Sequence, residues 1–174
     1  MNYFDFFNLP VSFLLDEAAL KRKYYANSKK YHPDFYTLES EKKQAEILEQ
    51  STFNNQAYKT LADFDLRMKY ILDLKEVLAE EGKNQIPQEF LMEMMEINES
   101  LMELEFDFDS KTYESVLLQL NQQKENAYQN IAPILEHYDD KKVTFEELKK
   151  VKNYYLKKRY LLRIRENLSK FAIR

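Results

Sequence analysis

An all-α fold follows from three features of the chain. Helix breakers are scarce, with one glycine (Gly82) and four prolines (Pro10, Pro33, Pro87, Pro133) in 174 residues. Leu, Lys, Glu, Gln and Met, all good helix formers, dominate the composition. Apolar residues also recur at helical spacing through most of the length. A hydrophobic content of 44% is enough for a real core, and the length fits one or two domains.

Taken in order, Tyr3-Phe4-Asp5-Phe6-Phe7-Asn8-Leu9 forms a first helix of roughly two turns that Pro10 ends. Asp16 caps the next helix, in which Leu20, Tyr24 and Tyr31 recur up to His32, where Pro33 forces a stop. A third helix spans about Ser40 to Ala62 and places Ile47, Ala57, Tyr58 and Leu61 on one face, so these two helices can form an antiparallel pair. Asp63 caps a further helix running through Ile71, Leu74 and Leu78 towards Glu81-Gly82-Lys83-Asn84-Gln85, the only stretch resembling a linker.

Beyond the linker, Pro87 suits the first turn of a helix reaching about Phe106, and Asp109 or Ser110 caps the next one. Pro133 predicts a kink or break there. The last helix starts at a capping box, Thr144 with Glu147, and continues nearly to Arg174. The organisation read from this is residues 1–75 as one domain, 76–86 as helix end and linker, and 87–174 as a three-helix bundle.

The formal net charge of −4 provides no overall positive field to attract nucleic acid or anionic lipid. The absence of cysteine excludes disulfides and thiolate metal sites, so no cofactor or metal is expected. No apolar run reaches the roughly 18 residues of a membrane span, and the amino terminus lacks the form of a secretory signal, which makes a cytoplasmic location the default expectation. With two histidines and no glycine-rich phosphate loop, an enzyme is not expected, and His137 reads as a helix-end residue rather than a general base.

The segment most suited to a specific task is Lys29-Lys30-Tyr31-His32-Pro33-Asp34, where a basic helix end meets a loop stiffened by proline. On its own the tripeptide is weak, since Asp34 could simply cap the next helix. Its setting adds weight: Leu20-Lys21-Arg22-Lys23-Tyr24 precedes it by one helix, and Asn54-Asn55-Gln56-Ala57-Tyr58-Lys59-Thr60-Leu61 closes the next, followed by Asp63 and Arg67-Met68-Lys69-Tyr70.

In this arrangement, about Met1 to Lys75 resembles a J domain, an antiparallel helical hairpin with a His-Pro-Asp loop. The resemblance implies a co-chaperone that accelerates ATP hydrolysis by a DnaK-type partner. His32, Pro33 and Asp34 would supply the docking loop, while Arg22, Lys29 and Lys30 on the basic helix would engage an acidic surface. Arg22, Tyr25 and Lys29 lie at i, i+3 and i+7, so one helical face presents both cations. Two positions depart from the common J-domain pattern: Ala26 where a basic residue is frequent, and Phe35 where lysine is common.

The helix after Pro87 carries two apolar faces when drawn at about 100° per residue. Phe90, Met94, Ile97, Leu101 and Leu104 form one; Leu91, Met92, Met95 and Met102 form the other, with Glu96, Glu99 and Glu103 beside them. The second face suits either a binding surface, where methionine adapts to a partner, or packing against another helix.

Phe90-Leu91-Met92-Glu93 and Glu96-Ile97-Asn98-Glu99 are similar to the start of the carboxy-terminal domain of HscB-type co-chaperones of iron-sulfur cluster assembly. The amino-terminal Asn2 to Pro10 and the segment Arg67 to Leu74 agree with that family. It implies a DnaK- or HscA-type chaperone and an IscU-type scaffold as partners, with Leu91, Met92, Met95, Glu96, Glu99, Glu103 and, on the last helix, Tyr155 as scaffold contacts. Any cluster would reside on the partner, because this chain has no thiolates.

Two charge features complete the reading. From Gln88 to Asp109 there are eight carboxylates and no Lys or Arg, whereas the last helix is strongly basic, so the two are expected to attract one another across the bundle. The basic run Lys149 to Arg165 with its interleaved tyrosines also resembles a nucleic-acid patch, but the internal acidic complement argues against that use.

Overall fold

The computed structural model describes residues 1–173, which are helical with no strand among them. The helices are α1 (Tyr3–Phe6), α2 (Glu17–Lys30), α3 (Glu41–Ala62), α4 (Phe64–Leu74), α5 (Gln88–Glu93), α6 (Met95–Phe106), α7 (Ser110–Glu136) and α8 (Phe145–Ser169), with 3₁₀ turns at Pro33–Tyr36 and Lys170–Ile173. No described helix is long and apolar enough to cross a membrane. The chain divides into two compact units, one of Met1–Lys75 with Tyr138–Lys142, the other of Glu76–His137 and the chain from Val143 onward.

In the first unit, α2 and α3 pair as a hairpin, with Leu20, Ile47, Ala57 and Leu61 buried between them and their neighbours. Each helix begins on a side-chain cap that satisfies an otherwise orphaned amide: Asp16 accepts from Ala19 N–H, Ser40 from Lys43 N–H, and Asp63 from Leu66 N–H. Asn54 ties the hairpin together by donating from Nδ2 to the Tyr24 carbonyl (3.2 Å) and to Ser28 Oγ (3.1 Å). Tyr24 and Tyr58 stack with ring centroids 4.1 Å apart.

α1 is one turn rather than the two expected, because Asn8 adopts a left-handed φ of 50° and turns the chain before Pro10 is reached. Its rings pack onto the hairpin, with Tyr3 stacked on Tyr70 (4.5 Å) and Phe6 edge-on to Phe53 (4.9 Å). α4 stops at Leu74 instead of continuing to Glu81, since Glu76 takes a φ of 56° that no α-helix can continue. The loop Tyr138–Lys142 packs within this unit: Lys75 pairs with Asp140 at 2.6 Å, and Tyr138 meets Phe13 edge-on at 4.8 Å.

In the second unit, Phe90, Met94, Ile97 and Leu104 from α5–α6 pack with Val116 and Leu120 of α7 and Leu161, Ile164 and Leu168 of α8 in one buried cluster. The helix expected from Pro87 to Phe106 is interrupted at Met94, yet Met94 N–H donates to Phe90 O and Asn98 N–H to Met94 O, so the helical phase carries across the break. Pro133 does not break α7. It lies in the last turn, where the missing N–H removes only one ladder bond before His137 ends the helix. α8 opens on the Thr144–Glu147 capping box and gives way to a 3₁₀ turn after Ser169; Arg174 lies outside the described residues.

Candidate functional site

Two surfaces match the residues singled out in the sequence, one in each unit. The first is the turn after α2. Tyr31 closes the helix by donating its N–H to Asn27 O, and His32 then caps the 3₁₀ turn, its Nδ1 accepting from the Asp34 N–H at 3.3 Å. That acceptance requires Nδ1 to be unprotonated in this geometry. Pro33 occupies the first position of the turn, where its fixed φ fits and its missing N–H costs nothing.

The turn is pinned at both ends. The Tyr36 hydroxyl donates to Lys30 O at 2.7 Å, and Gln44 Nε2 on α3 donates to Glu39 O (2.9 Å) and Thr37 O (3.3 Å). The backbone of the turn is therefore held while the His32 and Asp34 side chains face outward. The Asp34 side chain is 84% exposed and that of His32 52%, with His32 Nδ1 3.8 Å from Asp34 Oδ2. Arg22, Lys29, Lys30 and Pro33 are exposed as well, and Tyr25 lies open on the same helix. Of the neighbouring cations, Lys23 is used internally: its Nζ donates to Asn8 O.

Sequence reading assigned no role to Arg67, yet it is a main support of this unit. It is buried, donates from Nε to Phe13 O at 2.9 Å and from Nη1 to Leu61 O, and sits over the Phe64 ring. Burial holds its pKa below the ordinary arginine value, opposed by the charges of Glu17 and Asp63. The available signal was a lone arginine among apolar residues on the inward face of α4.

The second surface is the outer face of α5–α6. Phe90, Met94, Ile97 and Leu104 are at most 3% exposed, whereas Leu91, Met92, Met95 and Met102 are 39–64% exposed. Glu96, Glu99 and Glu103 are exposed around them. The two faces inferred from periodicity are thus one buried and one open. The segment is fastened to α8 by Asn98 Nδ2 donating to the Tyr160 hydroxyl (2.9 Å) and by Phe90 set edge-on to Tyr160 at 5.5 Å.

Tyr155 is less open than the other residues of its set, and the attraction expected between the acidic and basic helices takes another form. Tyr155 is only 6% exposed, with Arg159 donating to its hydroxyl and lying over its ring, so it belongs to the interior and offers little surface. Lys149, Lys150, Lys152, Lys157, Arg159, Arg163 and Arg165 of the basic α8 stand in no ion pair with the acidic α5–α6 among the described residues; Lys157 instead places its Nζ 5.5 Å above the Phe90 ring. His137 is a helix-end residue as expected, its Nδ1 3.0 Å from Pro133 O.

The comparisons with known proteins bear on both surfaces. A co-chaperone protein HscB homolog of Psychromonas ingrahamii is 33% identical over 153 residues, covering 87% of this chain and 89% of that protein. The chain belongs to the HscB co-chaperone family. The family model described as the HSCB C-terminal oligomerisation domain matches residues 86–169. A co-chaperone protein HscB homolog of Vibrio cholerae serotype O1 is 41% identical over 103 residues, 58% of this chain and 60% of that protein.

Among solved structures, the crystal structure of human co-chaperone protein HscB matches with a TM-score of 0.75 and 26% identity, over 99% of this chain and 83% of that one. The chaperone HscB from Vibrio cholerae has the same fold, with a TM-score of 0.77 over 97% of this chain and 96% of that one. The HscB fold places a J-like domain first, with the His32-Pro33-Asp34 turn between its two long helices, and a helical bundle second, with the open apolar face on its first helices.

Proposed function

We propose that this chain docks a DnaK- or HscA-type chaperone through His32, Pro33 and Asp34 with Arg22, Lys29 and Lys30, stimulates its ATP hydrolysis, and delivers an IscU-type iron-sulfur scaffold held on Leu91, Met92, Met95, Glu96, Glu99 and Glu103. Residues 1–75 would serve the first task and residues 87–174 the second, with 76–86 between them. Both partners would be met in the cytoplasm. The chain itself supplies no bond-breaking group; its effect on hydrolysis is a shift in the partner's conformational equilibrium, which requires that the loop bind the competent state better than the resting one.

The observation that most supports this reading is that Leu91, Met92 and Met95 remain exposed on a helix pair whose opposite face is fully packed. An apolar centre of adaptable methionines and a rim of carboxylates suits a partner with an apolar patch bordered by basic groups. On the other surface, the pinned turn lowers the entropy lost when His32 and Asp34 engage a partner.

The test is a chaperone ATPase assay with and without the scaffold, combined with a scaffold pull-down. His32→Gln should abolish stimulation and leave the circular dichroism spectrum unchanged. Replacing Leu91, Met92 and Met95 together with alanine should abolish scaffold capture and spare the basal stimulation. Full stimulation by the first variant, or full capture by the second, would overturn the corresponding half of the proposal.

A further inference from the structure

Along its own length α8 carries more positive than negative charge. Lys149, Lys150, Lys152, Lys157, Arg159, Arg163 and Arg165 share the helix with three carboxylates, Glu146, Glu147 and Glu166, and Glu147 is committed to the Thr144 cap. Like charges at i, i+3 and i, i+4, such as Lys149 with Lys152 and Arg159 with Arg163, disfavour the isolated helix.

Part of this charge borders a groove of about 360 Å³ between α7 and α8. Ala127 and Ile131, both nearly buried, line its apolar side, and Asn130, Asn153, Lys150 and Lys157 provide its polar groups. No carboxylate lines it, and among the described residues neither Lys150 nor Lys157 stands in an ion pair. Lys157 is held by its contact with the Phe90 ring, while Lys150 is exposed.

We propose that this groove is a second protein-docking site, separate from the α5–α6 face, and that it takes an acidic amphipathic helix of a partner. Lys150 and Lys157 are seven residues apart on one continuous helix, hence about 10.5 Å along its axis. A partner helix with carboxylates at i and i+7 repeats that spacing on one face. A small apolar residue between them would settle against Ala127 and Ile131, and the Asn130 and Asn153 amides would serve polar groups at the edge. With so little open apolar area in the groove, charge dominates, so the contact is salt-sensitive and specified by spacing.

The same features disfavour nucleic acid. Tyr154 and Tyr155 are 4% and 6% exposed, and Tyr160 is engaged with Asn98 and Phe90, so the tyrosines interleaved with the cations offer no face for stacking bases. The carboxylates of α5–α6 in the same unit add repulsion for a phosphate backbone.

The probe is a labelled, designed helical peptide with glutamates at i and i+7 and alanine between them, titrated with the full chain by fluorescence anisotropy. Binding should weaken at least about tenfold in the Lys150→Glu/Lys157→Glu variant and with a peptide whose glutamates are moved to i and i+5, on different faces. The charge-matched Lys149→Glu/Arg163→Glu variant should bind within about threefold of the parent, and Lys150→Glu/Lys157→Glu should still capture the scaffold. Equal loss in both double variants would reduce the effect to net charge and overturn the proposal. So would preferential binding of duplex DNA, or self-association of the chain that Lys150→Glu/Lys157→Glu abolishes, which would make a second copy the occupant.

Discussion

The Tyr36 hydroxyl donates to the Lys30 carbonyl at 2.7 Å and so joins the far end of the His-Pro-Asp turn to the last turn of the basic helix. The carbonyl is one of those left without a helical partner at a helix end. Removing the hydroxyl in Tyr36→Phe keeps the ring and deletes the clamp. A net hydrogen bond of about 1 kcal/mol sets the scale, so the unfolding free energy from urea denaturation should fall by about 1 kcal/mol or less, while chaperone stimulation falls several-fold. Loss as complete as in His32→Gln would show that the hydroxyl does more than hold the turn.

Met94 and Met95 are adjacent in sequence and opposite in environment, 0% and 58% exposed. Met94→Ala should cost about 2–5 kcal/mol in urea denaturation, the usual range for emptying a core site, and Met95→Ala less than about 0.5 kcal/mol. Binding should divide the other way: Met95→Ala weakens scaffold capture directly, and Met94→Ala only through the fraction unfolded. A stability loss in Met95→Ala comparable to that of Met94→Ala would place the α5–α6 face among structural rather than binding surfaces.

Much of this division was legible in the sequence, because periodicity reports which residues share a face and the ladder bonds on both sides of Met94 preserve that phase through the break. Capping was legible for the same local reason: Asp16, Asp63, Asp109 and Thr144 all act on amides within three residues. Left-handed residues other than glycine were not, and Asn8 and Glu76 are what ended α1 and α4 early. The burial of Tyr155 was not legible either: in a helix where Tyr154, Tyr155 and Leu156 are all buried, spacing alone does not separate an inward from an outward aromatic.

The cap on α7 makes a pH prediction. Asp109 accepts from the Thr112 hydroxyl at 2.7 Å and the Thr112 N–H at 3.0 Å, and these bonds hold its carboxyl below the ordinary value of 3.8. Because the folded pKa is the lower one, the cap's charge-dependent stabilisation is complete above the unfolded value and is lost as pH falls through the folded value. In urea denaturation, the parent and Asp109→Asn should differ by a constant amount from neutral pH down to about 5 and converge in more acid solution. A difference that stays constant below pH 3 would assign the contribution to hydrogen bonding irrespective of ionisation.

Arg67 carries the strongest stability prediction. Its Nε and Nη1 donate to Phe13 O and Leu61 O, carbonyls that belong to separate segments of the first unit, and the side chain is buried. Arg67→Met fits the volume but strands both acceptors, each costing about 1–3 kcal/mol, so a total of about 2–6 kcal/mol is expected. Arg67→Lys should recover less than half of that, because one ammonium on a flexible stem cannot reproduce two donors fixed in a planar fork. Hydrogen exchange should quicken at both the Phe13 segment and the end of α3. Stimulation of the chaperone should fall in proportion to the unfolded fraction and return when trimethylamine N-oxide restores folding, an outcome that a direct contact between Arg67 and the chaperone would not produce.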